Sequence, residues 1–219
     1  FRLDSDFTTC GALRSFRTMN PRFRVIRALG SGGEGRVFAV TDAARGGSTL
    51  ALKETTATEA DSLRREFTLL ARLNHPHLVQ VFDFFTKSPL SHEEGPSGTA
   101  AYTQEWVDGP TIFGALRDAS EPVRRELFIQ VMRALSYLHA LSVIHCDLKP
   151  ENVLVETKGG LRARLLDFGI AVSEHGAPEG IKGSSSYVPP ERLAGKAPSP
   201  ETDLYALGVM MAEVWMGRP

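Results

Sequence analysis

The run "IHCDLKPENVL", residues 144–154, sets an Asp, a Lys and an Asn close together between apolar residues. Asp147, Lys149 and Asn152 stand at offsets of zero, two and five. That combination suits phosphoryl transfer. A carboxylate at 147 can accept the proton of an attacking hydroxyl, and Lys149 can steady the charge of the moving phosphoryl group. The Asn152 amide oxygen is a hard donor of the kind Mg²⁺ accepts. Farther on, "LLDFGIA" places Asp167 after an apolar strand and before Gly169, where a carboxylate at the strand end makes a second metal ligand. Taken singly, each of these Asp residues reads equally well as a turn or cap residue.

Two upstream features deal with phosphate. In "LGSGGEGRV", Gly30, Gly32 and Gly35 form G-x-G-x-x-G ahead of Val37. Glycines let the backbone approach phosphates without side-chain clash. A dinucleotide-binding turn would lead into a helix, but "RVFAVTD" has a strand pattern, which argues against that fold. A Gly-rich hairpin without a ligand is the plain alternative. In "LALK", Lys53 lies on a strand, where a lone Lys usually faces solvent. Glu66 on the following helix can pair with it and hold it for an anion.

The elements that must position these residues read as follows. "FRVIRALG" (23–30), "RVFAVTD" and "TLALKE" alternate apolar and polar residues and form an antiparallel meander. "EADSLRREFTLLARL", 59–73, puts Leu63, Phe67, Leu70 and Leu73 on one helix face. "LVQVFDFF" and "AAYTQEWV" are two further strands, with the polar, turn-rich "TKSPLSHEEGPSGTA" between them as an exposed loop. After "DGP", "TIFGALRD" and "PVRRELFIQVMRALSYLHAL" are helical. Short strands follow near 153–155 and 162–166, then a loop to about 190 and a final helix. The class is α+β with two lobes, and "WVDGP" connects them.

The bulk numbers narrow the function further. The 219 residues carry 42% hydrophobic and 23% charged side chains, as an ordinary soluble globular protein does. A net charge of −1 gives no electrostatic basis for binding nucleic acid. Arg14, Arg17, Arg22, Arg24 and Arg27 read as a solvated tail and a polar strand face. Cys10 and Cys146 offer neither zinc spacing nor a disulfide framework, which suits a reducing cytoplasm. The most apolar run, 204–216, is too short to span a bilayer and contains Glu213, so it reads as a buried helix. No apolar signal-peptide segment opens the chain.

Together, and in this order, the motifs resemble the eukaryotic-type serine/threonine protein kinase signature over residues 23–219: Gly-rich loop, strand Lys, helix Glu, "HCDLKPEN", "DFG" and a P-E pair. The wording of "LRREFTLLARLNHPHLVQVFDFF" and "HCDLKPENVLV" is similar to bacterial members. The resemblance implies a two-lobed fold, with an antiparallel sheet and one helix in the N-lobe (19–107) and a mostly helical, incomplete C-lobe (108–219). Residues 1–18 read as a flexible leader.

The resemblance also implies roles. Leu29, Gly30, Ser31, Gly32, Gly33 and Gly35 cover the ATP phosphates. Val37, Ala51 and Leu154 sandwich the adenine. Glu105 and Val107 offer backbone hydrogen bonds to its edge, with Gln104 as gatekeeper. Lys53 binds the α/β-phosphates and pairs with Glu66. Asp147 positions the substrate hydroxyl and acts as base, Lys149 contacts the γ-phosphate, and Asn152 and Asp167 hold Mg²⁺. Leu70, Val81, Phe168 and His145 form a stacked column anchored by Asp203. Lys149 is similar to the serine/threonine rather than the tyrosine class. In "GSSSYVPPERL", Ser184 and Glu191 stand where the family positions substrate, with Ser184 in place of Thr and Pro189 in place of Ala.

Two departures matter. Cys146 replaces an Arg that in many members receives a phosphorylated activation loop, so activity is expected not to require phosphorylation of 170–188. The thiol itself reads as a small packed side chain rather than a redox switch. The family also continues past this point with helices, one of which supplies an Arg for Glu191. A longer native protein is therefore expected, as is an apolar patch on the last helix. The expected partners are ATP and a protein with Ser/Thr acceptors, with no nucleic acid and no membrane segment. A non-catalytic ATP-binding module and a small-molecule phosphotransferase are the competing readings.

Overall fold

The computed structural model describes residues 22–32, 35–55, 57–90, 99–168, 171–173 and 185–217. The expected leader, Gly33, Gly169, Ser184 and residues 91–98 of the polar loop fall outside them. The chain divides into two compact units, 1–72 with 80–106 and 73–79 with 107–219.

The first unit is a five-stranded antiparallel sheet in the order β1-β2-β3-β5-β4. Its strands are β1 (Phe23–Gly32), β2 (Gly35–Asp42), β3 (Ser48–Glu54), β4 (Val81–Phe85) and β5 (Ala101–Glu105). Period-two alternation sorts the side chains. Phe23, Phe38, Val40, Leu50, Leu52 and Ala101 are buried together on one face, with Phe82 and Phe85 against them. The alternation expected for β1 is broken by register shifts between Val25 and Arg27 and between Ala28 and Gly30. Extra residues there bend the strand as it enters the Gly-rich turn.

The opposite face carries helix α1 (Ala60–Leu70), shorter than the expected 59–73. A short 3₁₀ turn, Ala57–Glu59, precedes it, and Asn74 and Pro76 lie too close beyond it for another helical turn. Its buried residues are Leu63, Glu66 and Leu70; Phe67 is half-buried. A glutamate on the buried face demands a partner.

The second unit is built on α3 (Glu121–Ala140), entered through Ser120 with Pro122 in its first turn. Leu127, Phe128, Val131, Ala134, Leu135 and Leu138 form its buried stripe. It packs against α5 (Pro200–Trp215), which starts at a Ser199–Thr202 capping box with Pro200 at its first position. Shorter elements complete the unit: α2 (Ile112–Leu116), β6 (Val143–Ile144), β7 (Val153–Glu156), β8 (Arg162–Leu165), β9 (Val172–Ser173) and α4 (Pro190–Leu193). β7 pairs with β8, and β6 with β9. The expected loop to about 190 thus contains β9 and a 3₁₀ turn, Ser185–Tyr187. On α5, Leu204, Tyr205 and Trp215 are exposed, as is Met216 just beyond its end. No described helix is long and apolar enough to cross a membrane.

Candidate active site

In the first unit, register collects the phosphate- and adenine-binding candidates. Val37 pairs with Lys53, Ala39 with Ala51, and Ala51 with Gln104. Directly opposed residues share a face, and so do residues two apart. Val37, Ala51, Lys53 and Gln104 therefore line one face, the one that carries α1. Lys53 Nζ donates to both Glu66 carboxylate oxygens at 2.9 Å, with the two side chains 8% and 2% exposed. A compact ammonium held this way keeps its position while the pair stays dry.

The glycines sit at the head of the same strands. Gly30 and Gly32 lie on β1 with half-buried Leu29 and exposed Ser31, and Gly32 pairs with Gly35 across the turn. The motif is strand–turn–strand, as the alternation after it required. At Gly35 φ is +133°, and a Cβ would fall 2.0 Å from the Glu54 carbonyl oxygen. Only glycine fits there. The Glu105 N–H donates to the Gln80 carbonyl at 2.8 Å, so that group is already engaged within the first unit.

In the second unit, β6 delivers the chain into 145–149. Asp203 of α5, 1% exposed, accepts the N–H of His145 (2.9 Å) on Oδ2 and of Cys146 (2.9 Å) on Oδ1. Cys146 adopts φ +66°, uncommon for a non-glycine residue. This turn aims two consecutive N–H groups at one carboxylate. Cys146 is half-buried, with Sγ 3.6 Å from the Ile144 carbonyl, so it is less enclosed than a packed thiol.

His145 is fully buried and lies edge-on to Phe168, with ring centroids 4.8 Å apart. Its Nε2 faces the Leu166 carbonyl at 3.0 Å, and its Nδ1 accepts the Asp147 N–H at 3.3 Å. The proton therefore sits on Nε2. Lys149 Nζ donates to Asp147 Oδ2 at 2.5 Å, and Asn152 Nδ2 reaches the same oxygen at 3.2 Å and the Asp147 carbonyl at 2.8 Å. Both partners of the Asn152 amide here are acceptors, so its nitrogen must point at Asp147, and its oxygen is the atom left for a cation.

Asp167 follows β8 with φ +59°. The Leu166 N–H donates to the Asn152 carbonyl at 2.8 Å, which sets Asp167 one residue from that link. Leu154 is half-buried on β7, opposite Arg164. Val107 is buried at the head of this unit, and Gly109 packs so tightly that a Cβ would meet the Val155 carbonyl oxygen at 1.8 Å. Glu191 is half-buried at the start of α4 and makes no ion pair with a described residue.

Two contacts of this unit escape sequence reasoning. His139 Nε2 lies 2.8 Å from Asp203 Oδ2. The Tyr187 hydroxyl donates to Glu213 at 2.9 Å, tying the segment before the P-E pair to α5. Burial and the Glu213 carboxylate push the phenol above its ordinary range. Glu213, the one charge in the apolar run 204–216, is the signal that a partner had to exist.

A family model for the protein kinase domain matches residues 23–219. The chain is 34% identical to serine/threonine-protein kinase pkn2 of Myxococcus xanthus over 91% of its own length and 25% of that protein. It is 33% identical to the DNA damage-responsive serine/threonine-protein kinase RqkA of Deinococcus radiodurans, over 90% of this chain and 30% of that one. It is 30% identical to serine/threonine-protein kinase PknA of Mycobacterium tuberculosis, over 92% and 48%. The chain thus spans a quarter to about half of these relatives. The Gly-rich hairpin, the Lys53–Glu66 pair and the Asp147 cluster lie inside the matched span, and the chain belongs to the protein kinase domain family.

Proposed function

We propose that this domain transfers the γ-phosphate of ATP to Ser/Thr hydroxyls of a protein substrate. One observation carries the reading: Lys149 and Asn152, the residues expected to work with Asp147, both donate to its carboxylate within 3.2 Å. A carboxylate fixed this way can orient an acceptor hydroxyl and take its proton, with Lys149 beside it for the charge on the transferring group. Lys53, positioned by Glu66, holds the α/β-phosphates, and the glycines of the motif, Gly30, Gly32, Gly33 and Gly35, have the role of covering them. For the adenine, the first unit offers Val37, Ala51, Gln104 and the Glu105 backbone, and the second offers Leu154 and the Val107 backbone. Ser184 and Glu191 belong to the substrate-positioning segment.

The donor set fits Mg²⁺. Asn152 and Asp167 offer an amide oxygen and a carboxylate, and two hard protein ligands suit an ion bound mainly through phosphates and water. Among the described residues no cluster of three His, Cys, Asp or Glu would hold a metal alone. The ion would neutralise charge on the phosphates. Asn152 and Asp167 would hold it through the amide oxygen and the carboxylate.

Cys146 supports a further element of the proposal. With a half-buried thiol in place of a guanidinium, this position has no group to receive a loop phosphate. Activity is then independent of phosphorylation in 170–188. The test of function is transfer from labelled ATP·Mg²⁺ to the chain and to a basic protein, beside Asp147→Asn. Phosphate on Ser or Thr that disappears in the variant supports the reading. Phosphate on a small alcohol alone would favour a small-molecule phosphotransferase.

A further inference from the structure

We propose that Tyr102 is a positioning residue: its buried phenol sets the orientation of Glu66 and, through it, the place of Lys53. The inference rests on the function proposed above. It starts from register. Tyr102 on β5 pairs directly with Lys53 on β3, so the two side chains leave the sheet on the same face. Glu66 is on the buried side of α1 over that face. The Tyr102 hydroxyl donates to Glu66 Oε1 at 2.9 Å, while Lys53 donates to Oε1 and Oε2.

The chemistry explains why a phenol is useful. An ammonium is a point charge and holds a carboxylate with little directional preference. A carboxylate secured by the lysine alone can rotate about its own bonds and carry the lysine with it. A phenol O–H is directional, and this one cannot move: Tyr102 is 1% exposed, and its ring lies against Phe67, with centroids 5.9 Å apart. Phe67 in turn packs against Phe84 at 5.3 Å. Packing fixes the ring, the ring fixes the hydroxyl, and the hydroxyl fixes Oε1. An apolar residue would satisfy the packing at this buried strand position, so the hydroxyl is the part that calls for a role. The lock belongs to one compact unit and asks for no phosphate elsewhere, which matches a domain that works without loop phosphorylation.

The test uses the whole chain and reads binding as well as transfer. Tyr102→Phe keeps the ring and removes only the hydroxyl. Affinity for ATP·Mg²⁺, measured by calorimetric titration, should fall about tenfold, the scale of one hydrogen bond to a charged group. Adenosine, which has no phosphates for Lys53, should bind as it does to the unaltered chain. In a Lys53→Met background the same substitution should add nothing. Tyr102→Leu, with melting temperatures recorded for all variants, should reproduce the selective loss. Equal ATP affinity within about twofold, an equal loss for adenosine, or variants that fail to fold would assign the phenol a packing role and overturn the proposal. If the unaltered chain binds ATP but transfers no phosphate, the kinase reading fails while the titrations still decide on Tyr102. If it binds no ATP, both fail.

Discussion

Lys53 Nζ lies 2.9 Å from each carboxylate oxygen of Glu66 across the gap between β3 and α1, with both side chains buried. Glu66→Ala would leave the ammonium buried without its counter-charge. We expect a loss of about 3 kcal/mol in urea unfolding and of about 100-fold in phosphoryl transfer. Replacing both charges, Lys53→Met with Glu66→Leu, should restore much of the stability and none of the transfer. Activity that returned with stability would show the pair to be structural.

Asp203 binds two consecutive backbone N–H groups and His139. Asp203→Ala should destabilise the chain by about 2–3 kcal/mol, since it strands buried donors, and should lower transfer by misplacing Asp147. Unfolding and steady-state assays on the same preparation test both effects. A fully stable variant would mean that the turn at Cys146 holds itself.

Gly35 and Gly47 both have positive φ, but only at Gly35 would a Cβ strike backbone. Gly47→Ala should cost about 1 kcal/mol and Gly35→Ala at least about 2. Denaturant midpoints of the two variants should therefore separate clearly, and equal values would contradict the geometry of the Gly-rich hairpin.

Much of this site was readable in the sequence because its parts follow short-range rules. Period two puts Val37, Ala51, Lys53 and Gln104 on one face, and a helix Glu thirteen residues after Lys53 is within reach of it. What escaped depends on long-range pairing. A strand Tyr looks like core, and nothing local shows that the Tyr102 hydroxyl meets a residue 36 positions earlier. His139 finds Asp203 across 64 positions, and Tyr187 finds Glu213 across 26. The bulges in β1 were invisible for a different reason, since alternation marks faces and does not count extra residues.

His75 and His77 give the second unit a pH dependence. Burial holds both imidazoles below their ordinary value of 6.5, with like charge from His77 adding to the effect at His75. At His77 the hydrogen bond to the Ala163 carbonyl pulls the other way, and Arg133, Arg162 and Arg164 add to the lowering. Geometry agrees, because His75 Nδ1 accepts the His77 N–H at 3.2 Å and its ring stacks on Tyr137. The unfolded chain binds these protons more readily, so stability should fall as pH drops through about 6.5 and level off below the folded values. His75→Leu should flatten that slope in pH-dependent unfolding. An unchanged slope would place the titrating groups elsewhere.

Independence from loop phosphorylation has a direct check. Substituting Ser185 and Ser186 by Ala, or treating the chain with phosphatase, should leave transfer to a protein substrate within about twofold. A phosphate-dependent rise abolished by these changes would contradict the role given to Cys146.

The measurement closest to the central claim is single-turnover transfer from labelled ATP·Mg²⁺ by the chain and by Asp147→Asn, with folding and ATP binding confirmed for both. The account predicts phosphoserine or phosphothreonine from the first and a drop of about 1,000-fold in the second, the range for loss of a positioned acid–base group. Equal rates in the two, or no transfer from a folded chain that binds ATP, would contradict it and leave a nucleotide-binding module in place of a kinase.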